Sequence, residues 1–243
     1  MKLFGLVGNP LTHSFSKKYF TEKFRRENIS DCSYENFQLS SIEELHALIA
    51  SHNNLAGLNV TIPFKELVIP FLNKLDEIAT ETGAVNTIKI LNGQLKGFNT
   101  DVYGFMESII KLLEPSHTSA LILGTGGSSK AVAYGLNRIG IGFDFVSRNP
   151  DKNELGYEKL TADVIHQHKI IINTTPAGMF PSIESCPSIP YEHLTKSHLL
   201  FDLIYNPDET LFLQKAKERG AQIMNGMDML KLQAEKSWEI WNS

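Results

Sequence analysis

Cysteine is nearly missing from this chain. Cys32 and Cys186 are the only two in 243 residues, too few and too far apart for a disulfide framework or a metal knuckle, so both read as ordinary thiols. The closest histidine pair, His166 and His168, lacks a cysteine or carboxylate set around it, and no metal site is expected. Excess positive charge is missing too: 23 Lys and Arg stand against 27 Asp and Glu, a formal net charge of -4. That balance offers no field for a phosphate backbone, and no basic cluster stands beside an aromatic row, so nucleic acid is not an expected partner. No run of 18 apolar residues occurs, and Leu3 to Val7 is too short for a signal-peptide core. The expectation is a cytoplasmic protein with no membrane association, monomeric or homodimeric. Internal repeats and low-complexity stretches are absent as well.

What is present is the composition of a folded protein, with 42% hydrophobic and 21% charged residues, in a chain long enough for two modest domains. Leu3 to Val7 reads as a buried strand running into a loop at Gly8-Asn9-Pro10, with a helix starting near Ser16. Tyr34 to Leu39 reads as a second strand. Ser41 and Glu44 have the spacing of a capping box opening a helix over Ile42 to Ile49. Gly57 to Val60 is a third strand that delivers Thr61, Pro63 and Lys65 into a loop. Ala84 to Leu91 and Gln94 to Phe98 flank Asn92-Gly93, the dipeptide suited to a type I′ hairpin because both central residues need positive φ. A helix follows from about Val102 to Leu113. Beyond Pro115 and Ser116 the chain repeats strand, loop and helix in the manner of a parallel sheet, with strands at Ala120 to Leu123, Phe143 to Val146, Lys169 to Ile172, Leu199 to Leu203 and Ala221 to Met224. A last helix, Met227 to Trp241, carries a 3.6-period apolar face and could return to the first domain.

The loop Gly124-Thr125-Gly126-Gly127-Ser128 follows the strand Leu121-Ile122-Leu123 and opens a helix. In that context glycines permit a tight turn and a close backbone approach, and the helix N-terminus supplies N–H groups and a dipole suited to a pyrophosphate. Ser129 stands where a strict G-x-G-x-x-G would have glycine, so the motif taken alone also fits a plain strand-to-helix turn. A Walker loop is excluded because no glycine precedes Lys130. After the next strand the chain reads Phe145-Val146-Ser147-Arg148; a carboxylate there would hold the ribose diol of NAD, whereas arginine accommodates the 2′-phosphate of NADP. An exposed arginine after a strand can also be incidental.

The first half carries a dense set of short polar residues at strand ends and in loops: Ser14, Ser16, Asn59, Thr61, Lys65, Asn86 and Asp101. Singly they read as a helix cap, a turn former or a surface charge. Together they specify a hydroxylated ligand. The segments Ser14-Phe15-Ser16, Asn59 to Lys65, Gly83 to Thr87, Asn99-Thr100-Asp101, the Gly124 loop, Asn173 to Met179, Tyr205-Asn206-Pro207 and Asn225 to Gln233 resemble, in order and over nearly the whole chain, shikimate dehydrogenase.

The resemblance implies an N-terminal α/β substrate domain with a mixed sheet, residues 1–101 plus 227–243, and a Rossmann-like parallel-sheet NADP domain, residues 102–226. It implies NADP-dependent interconversion of shikimate and 3-dehydroshikimate, with Lys65 and Asp101 as the catalytic pair. Ser14 and Ser16 would hold the substrate carboxylate with Tyr205 nearby, and Asn59, Thr61, Asn86, Asp101 and Gln233 would read its hydroxyls. Gly124, Thr125, Gly126, Gly127, Ser128, Ser147, Arg148, Thr174 and Gly226 would line the cofactor site. Such roles suit the residue types: a lysine ammonium is protonated at neutral pH, can stabilise oxyanion charge and can donate a proton, with an aspartate to orient it. A quinate dehydrogenase of broader specificity and a non-catalytic Rossmann sensor are the alternatives; the sensor would be expected to lack Lys65 or Asp101. Three departures stand out: a short stretch from Asn149 to His168, which predicts a reduced βα unit, Ser147 in place of the usual asparagine, and Val102 in place of a common glycine.

Overall fold

The computed structural model describes residues 1–11 and 15–243. The chain divides into two compact units, Met1–Thr100 with Ala234–Ser243, and Asp101–Gln233. The first is built on a six-stranded sheet. Strands β1 (Lys2–Gly8), β2 (Cys32–Gln38) and β3 (Leu55–Val60) run parallel, β4 (Lys74–Leu75) and β6 (Gln94–Phe98) pair parallel at the far edge, and β5 (Thr87–Leu91) is antiparallel to both β3 and β6, in the order β2-β1-β3-β5-β6-β4. Six of the seven residues of β1 are buried, as a strand covered on both faces requires. One face packs Leu3, Val7, Leu58, Val60, Phe64 and Ile88. The other packs Phe4, Leu6, Phe20, Phe24 and Tyr34 against Ala234 and Trp241, so α1 (Phe15–Arg26) and the end of the last helix share it.

The β5–β6 turn has positive φ at both Asn92 (51°) and Gly93 (74°), as the hairpin reading requires. The capping-box expectation fails. Ser41 makes no side-chain cap bond, and the Glu44 carboxylate instead accepts from the Ser40 N–H at 3.4 Å. The segment accordingly starts as a 3₁₀ turn, Ile42–Glu44, before α2 (Leu45–Ser51). Two short helices went unread: α3 (Phe64–Leu67), and α4 (Glu77–Thr82), whose Asp76 cap accepts from the Ala79 N–H.

The second unit holds an all-parallel sheet of β7 (Ser119–Leu123), β8 (Gly142–Ser147), β9 (Glu154–Gly156), β10 (Ile170–Asn173), β11 (Leu199–Asp202) and β12 (Gln222–Met224). Their order, β12-β11-β10-β7-β8-β9, is the doubly wound arrangement with its switch point between β7 and β10. Helices α5 (Asp101–Ile109), α6 (Gly127–Arg138), α7 (Ala162–Gln167), α8 (Leu211–Glu218) and the first part of α9 (Met227–Asn242) complete it. Cores on the two faces centre on Ile122, Ile172 and Phe201, and on Leu121, Leu123 and Leu200. The βα unit between β8 and β10 is reduced as expected, to a three-residue strand and a six-residue helix. The helix predicted over Val102 to Leu113 is α for nine residues and then a 3₁₀ turn, Ile110–Leu112. Among the described residues no helix is long and apolar enough to cross a membrane.

Candidate active site

In the first unit the expected ligand residues lie at the C-terminal end of β3, at the start of β5 and in the first turn of α1. Asn59, next to the last residue of β3, is 4% exposed. Its carbonyl Oδ1 accepts from the Tyr34 phenol at 2.8 Å. Its Nδ2 faces three acceptors: Ser237 Oγ at 2.9 Å, Thr87 Oγ1 at 3.2 Å and the Asn86 carbonyl at 3.3 Å. Asn86 Oδ1 accepts from the Thr100 backbone N–H at 2.7 Å, and Asn86 Nδ2 donates to Thr100 Oγ1 at 2.9 Å. Asp101 follows directly and opens α5. Ser16, in the first turn of α1, is buried and hydrogen-bonds the Tyr34 phenol; burial pushes that phenol well above its ordinary range, and the Ser16 bond offsets a part.

Thr61 leaves β3 with its N–H on the Val7 carbonyl at 2.9 Å, and its own carbonyl takes the Phe64 N–H at 2.9 Å, which starts α3. Lys65 is the second residue of that turn, and its carbonyl accepts from the Val85 N–H at 2.7 Å, which ties α3 to the segment carrying Asn86. Ser14 lies outside the described residues.

The second unit shows a different architecture at its switch point. Gly124 has φ +103°, a conformation that side chains rarely adopt, and a Cβ there would meet Thr174 Oγ1 at 2.9 Å. Thr125 and Gly126 are exposed, and a Cβ on Gly126 would meet nothing within 4 Å. Gly126 is the N-cap of α6 and makes no side-chain cap bond, so the first N–H groups of a 12-residue helix border an open approach. Ser129, in the place of the third glycine, is buried and turns its hydroxyl back onto the Gly126 carbonyl at 2.6 Å. A dinucleotide pyrophosphate fits this cradle: an exposed Gly126 with room above it, an unobstructed helix start and Ser128 in its first turn.

Thr174 donates its hydroxyl to the Leu123 carbonyl at 2.7 Å and so locks the loop to β10. Gly226 is buried, and any Cβ there would strike the Leu203 carbonyl oxygen at 2.1 Å; its N–H bonds the Ile204 carbonyl at 3.0 Å. Ser147 ends β8, its hydroxyl accepting from the Asn149 N–H at 3.3 Å, and Arg148 next to it is exposed. Tyr205 is half-buried, which pushes its phenol up. Gln233, on α9, donates to the Leu230 carbonyl at 2.8 Å.

The residue most clearly missed in the sequence is Asp202. It is fully buried at the end of β11, accepts from Asn173 Nδ2 (3.0 Å), the Ile204 N–H (3.0 Å) and the Thr210 hydroxyl (2.6 Å), and burial pushes its carboxyl up to about 6. One charged residue closing the apolar run Leu199-Leu200-Phe201 was the available signal. His168, read without a carboxylate neighbour, has Asp144 at 2.9 Å. No group of three metal-ligating side chains occurs among the described residues.

A family profile for the shikimate dehydrogenase substrate binding domain matches residues 6–88. A shikimate dehydrogenase (NADP(+)) of Methanosphaera stadtmanae is 38% identical, over 98% of this chain and 90% of that protein. The chain belongs to the shikimate dehydrogenase family. Shikimate dehydrogenase structures share its fold throughout: that from Aquifex aeolicus has a TM-score of 0.89 at 34% identity, covering 100% of this chain and 92% of that one. A shikimate 5-dehydrogenase from Thermus thermophilus in complex with NADP(H) and shikimate has a TM-score of 0.88 at 28% identity, covering 99% and 93%. A quinate dehydrogenase from Corynebacterium glutamicum in complex with NAD scores 0.87 at 27% identity, covering 99% and 93%.

Proposed function

We propose that this chain is an NADP-dependent shikimate dehydrogenase, an oxidoreductase that interconverts shikimate and 3-dehydroshikimate in aromatic amino-acid biosynthesis. The observation that carries the reading is the combination of two built sites in one chain: the open glycine cradle with an exposed arginine after the next strand, and the buried amide and hydroxyl set around Asn59 and Asn86 beside Lys65.

When bound, NADP supplies or accepts the hydride. The residues that would hold it are Gly124 to Ser128 for the pyrophosphate, Ser147 and Arg148 for the ribose 2′-phosphate, and Thr174 and Gly226 through the loops they support. Arg148 suits a phosphate in geometry as well as charge, because its planar fork gives paired, charge-assisted hydrogen bonds. On the substrate side, Ser14 and Ser16 hold the carboxylate with Tyr205 nearby, and Asn59, Thr61, Asn86, Asp101 and Gln233 read the ring hydroxyls. As a ketone is reduced, charge develops on its oxygen. Lys65 stabilises that oxygen and donates the proton, with Asp101 orienting the ammonium. In the oxidative direction the same pair accepts the proton.

Following reduced nicotinamide by absorbance, with shikimate and quinate each crossed against NADP and NAD, tests the assignment. The expected result is the highest kcat/KM for shikimate with NADP. Arg148→Ala should lower kcat/KM for NADP by about 10- to 150-fold, the worth of a hydrogen bond to a charged group, and leave NAD nearly unchanged. Preference for quinate would move the chain to the broader-specificity reading, and preference for NAD would remove Arg148 from the 2′-phosphate.

A further inference from the structure

We propose that Tyr34 and Ser237 are positioning residues that join the carboxylate-reading Ser16 to the hydroxyl-reading Asn59 and Asn86, so that the substrate is read by one coupled hydrogen-bond chain. The proposal rests on the shikimate reading above.

Its basis is the accounting of hydrogens. Asn59 Oδ1 can only accept, so the single phenol proton of Tyr34 is committed to it at 2.8 Å. Ser16, hydrogen-bonded to the same phenol, is therefore the donor on that side. With its oxygen fixed on that side, Asn59 directs Nδ2 toward Ser237 Oγ at 2.9 Å. Ser237, fully buried on α9, lies 2.7 Å from Thr87 Oγ1, and Thr87 in turn donates to Asn86 Oδ1 at 3.2 Å. Ser237 Oγ also lies 3.3 Å from Thr100 Oγ1, in the residue that presents Asp101. From Ser16 through Tyr34 and Asn59 to Ser237 the links run in one direction, and each donor polarises the next. Tyr34 has no part in the proposed chemistry, yet its phenol decides which end of the Asn59 amide is the acceptor. Ser237 holds the other end and ties α9 to the start of β5.

When Ser16 turns its proton to a substrate carboxylate, Tyr34 loses a donor and the chain beyond it is re-polarised. Changes at Ser16 and at Ser237 should therefore be coupled through Tyr34 and Asn59.

Steady-state kinetics of shikimate oxidation test this on the parent, Tyr34→Phe, Ser237→Ala, Ser16→Ala and the Ser16→Ala/Ser237→Ala double variant. Tyr34→Phe and Ser237→Ala should each raise the KM for shikimate by roughly 3- to 10-fold, the range for a neutral hydrogen bond, with kcat changed by less than about two-fold and the KM for NADP unchanged. The double variant should raise it by less than the product of the single effects. Ser237→Cys, which keeps a weak donor and acceptor, should lie between parent and alanine, and it carries the test if the alanine variant fails to fold. A shikimate KM equal to the parent's, strictly multiplicative effects, or equal changes in both KM values together with a lower thermal midpoint would each overturn the inference. A parent that does not oxidise shikimate would sink the activity reading and this inference with it.

Discussion

Lys65 sits on a turn held by backbone on both sides, from Thr61 to Phe64 and from its own carbonyl to Val85. Its side chain can therefore be changed without removing what builds the turn. Lys65→Ala is expected to lower kcat by about 10²–10³, the usual cost of losing one preorganised oxyanion donor, with little change in KM. Near-normal turnover would withdraw the catalytic assignment. Asp202 makes a different prediction. Its carboxyl titrates at about 6 in the native chain, against 3.8 as the ordinary value, because burial penalises the charge. Between those values the folded state binds more protons than the unfolded one, so the contribution to stability is greatest below about pH 4 and is lost as the pH rises through about 6. Asp202→Asn keeps an acceptor for Asn173 and Ile204 and turns the Thr210 contact around, while removing the ionisation. It should flatten the stability profile across that window, removing a slope worth on the order of 2–3 kcal/mol. Urea unfolding at pH 4, 5, 6 and 7 measures it, and parallel profiles for parent and variant would refute the buried-carboxylate account.

At the scale of elements, α1 is fastened to α9 by a polar clamp as well as by rings. The Lys23 ammonium, its side chain only 6% exposed, lies 2.7 Å from Glu235 and 3.0 Å from Glu27, and the Tyr19 phenol donates to the same Glu235. Burial first, and then that bond, push the phenol above its ordinary range. Glu235→Ala would strand a buried ammonium on one half-exposed partner. It should cost roughly 1–3 kcal/mol, less than a fully buried pair because Glu27 remains. Replacing Lys23 by Met in that background should recover a part, since the stranded charge is gone; thermal midpoints of the two variants make the comparison. None of this was visible in the sequence, where Lys23 and Glu235 are ordinary helix charges 212 positions apart.

For the molecule as a whole, what was legible is what local chemistry enforces. Apolar runs between glycine turns announced the parallel strands from Leu121 onward, Asn92-Gly93 announced its hairpin, and the strand–glycine–helix context of Gly124 announced the cradle. Capping was misjudged where two neighbouring serines competed: Glu44 reached Ser40, one residue before the position its spacing suggested. Short pieces such as α3 and β4 escaped because four residues or two give no period to read. The polar set of the first half stood out by its density and took its individual roles from the family resemblance, whereas Tyr34, Thr87 and Ser237 became visible only once the chain had folded, since their partners lie far off in sequence.

Phe4, on the first strand, stacks on Trp241 at 4.8 Å, and the Trp241 indole donates to the Ile88 carbonyl at 3.0 Å. Residues more than two hundred positions apart thus complete one core. The unit spanning Asp101–Gln233 is contiguous and has all its strands once β12 is made, but the first hundred residues must keep one apolar face of their sheet partly uncovered until the final turns of α9 emerge. Until then this exposed face is where aggregation would begin, and a chain stopped short of Trp238 would retain that liability.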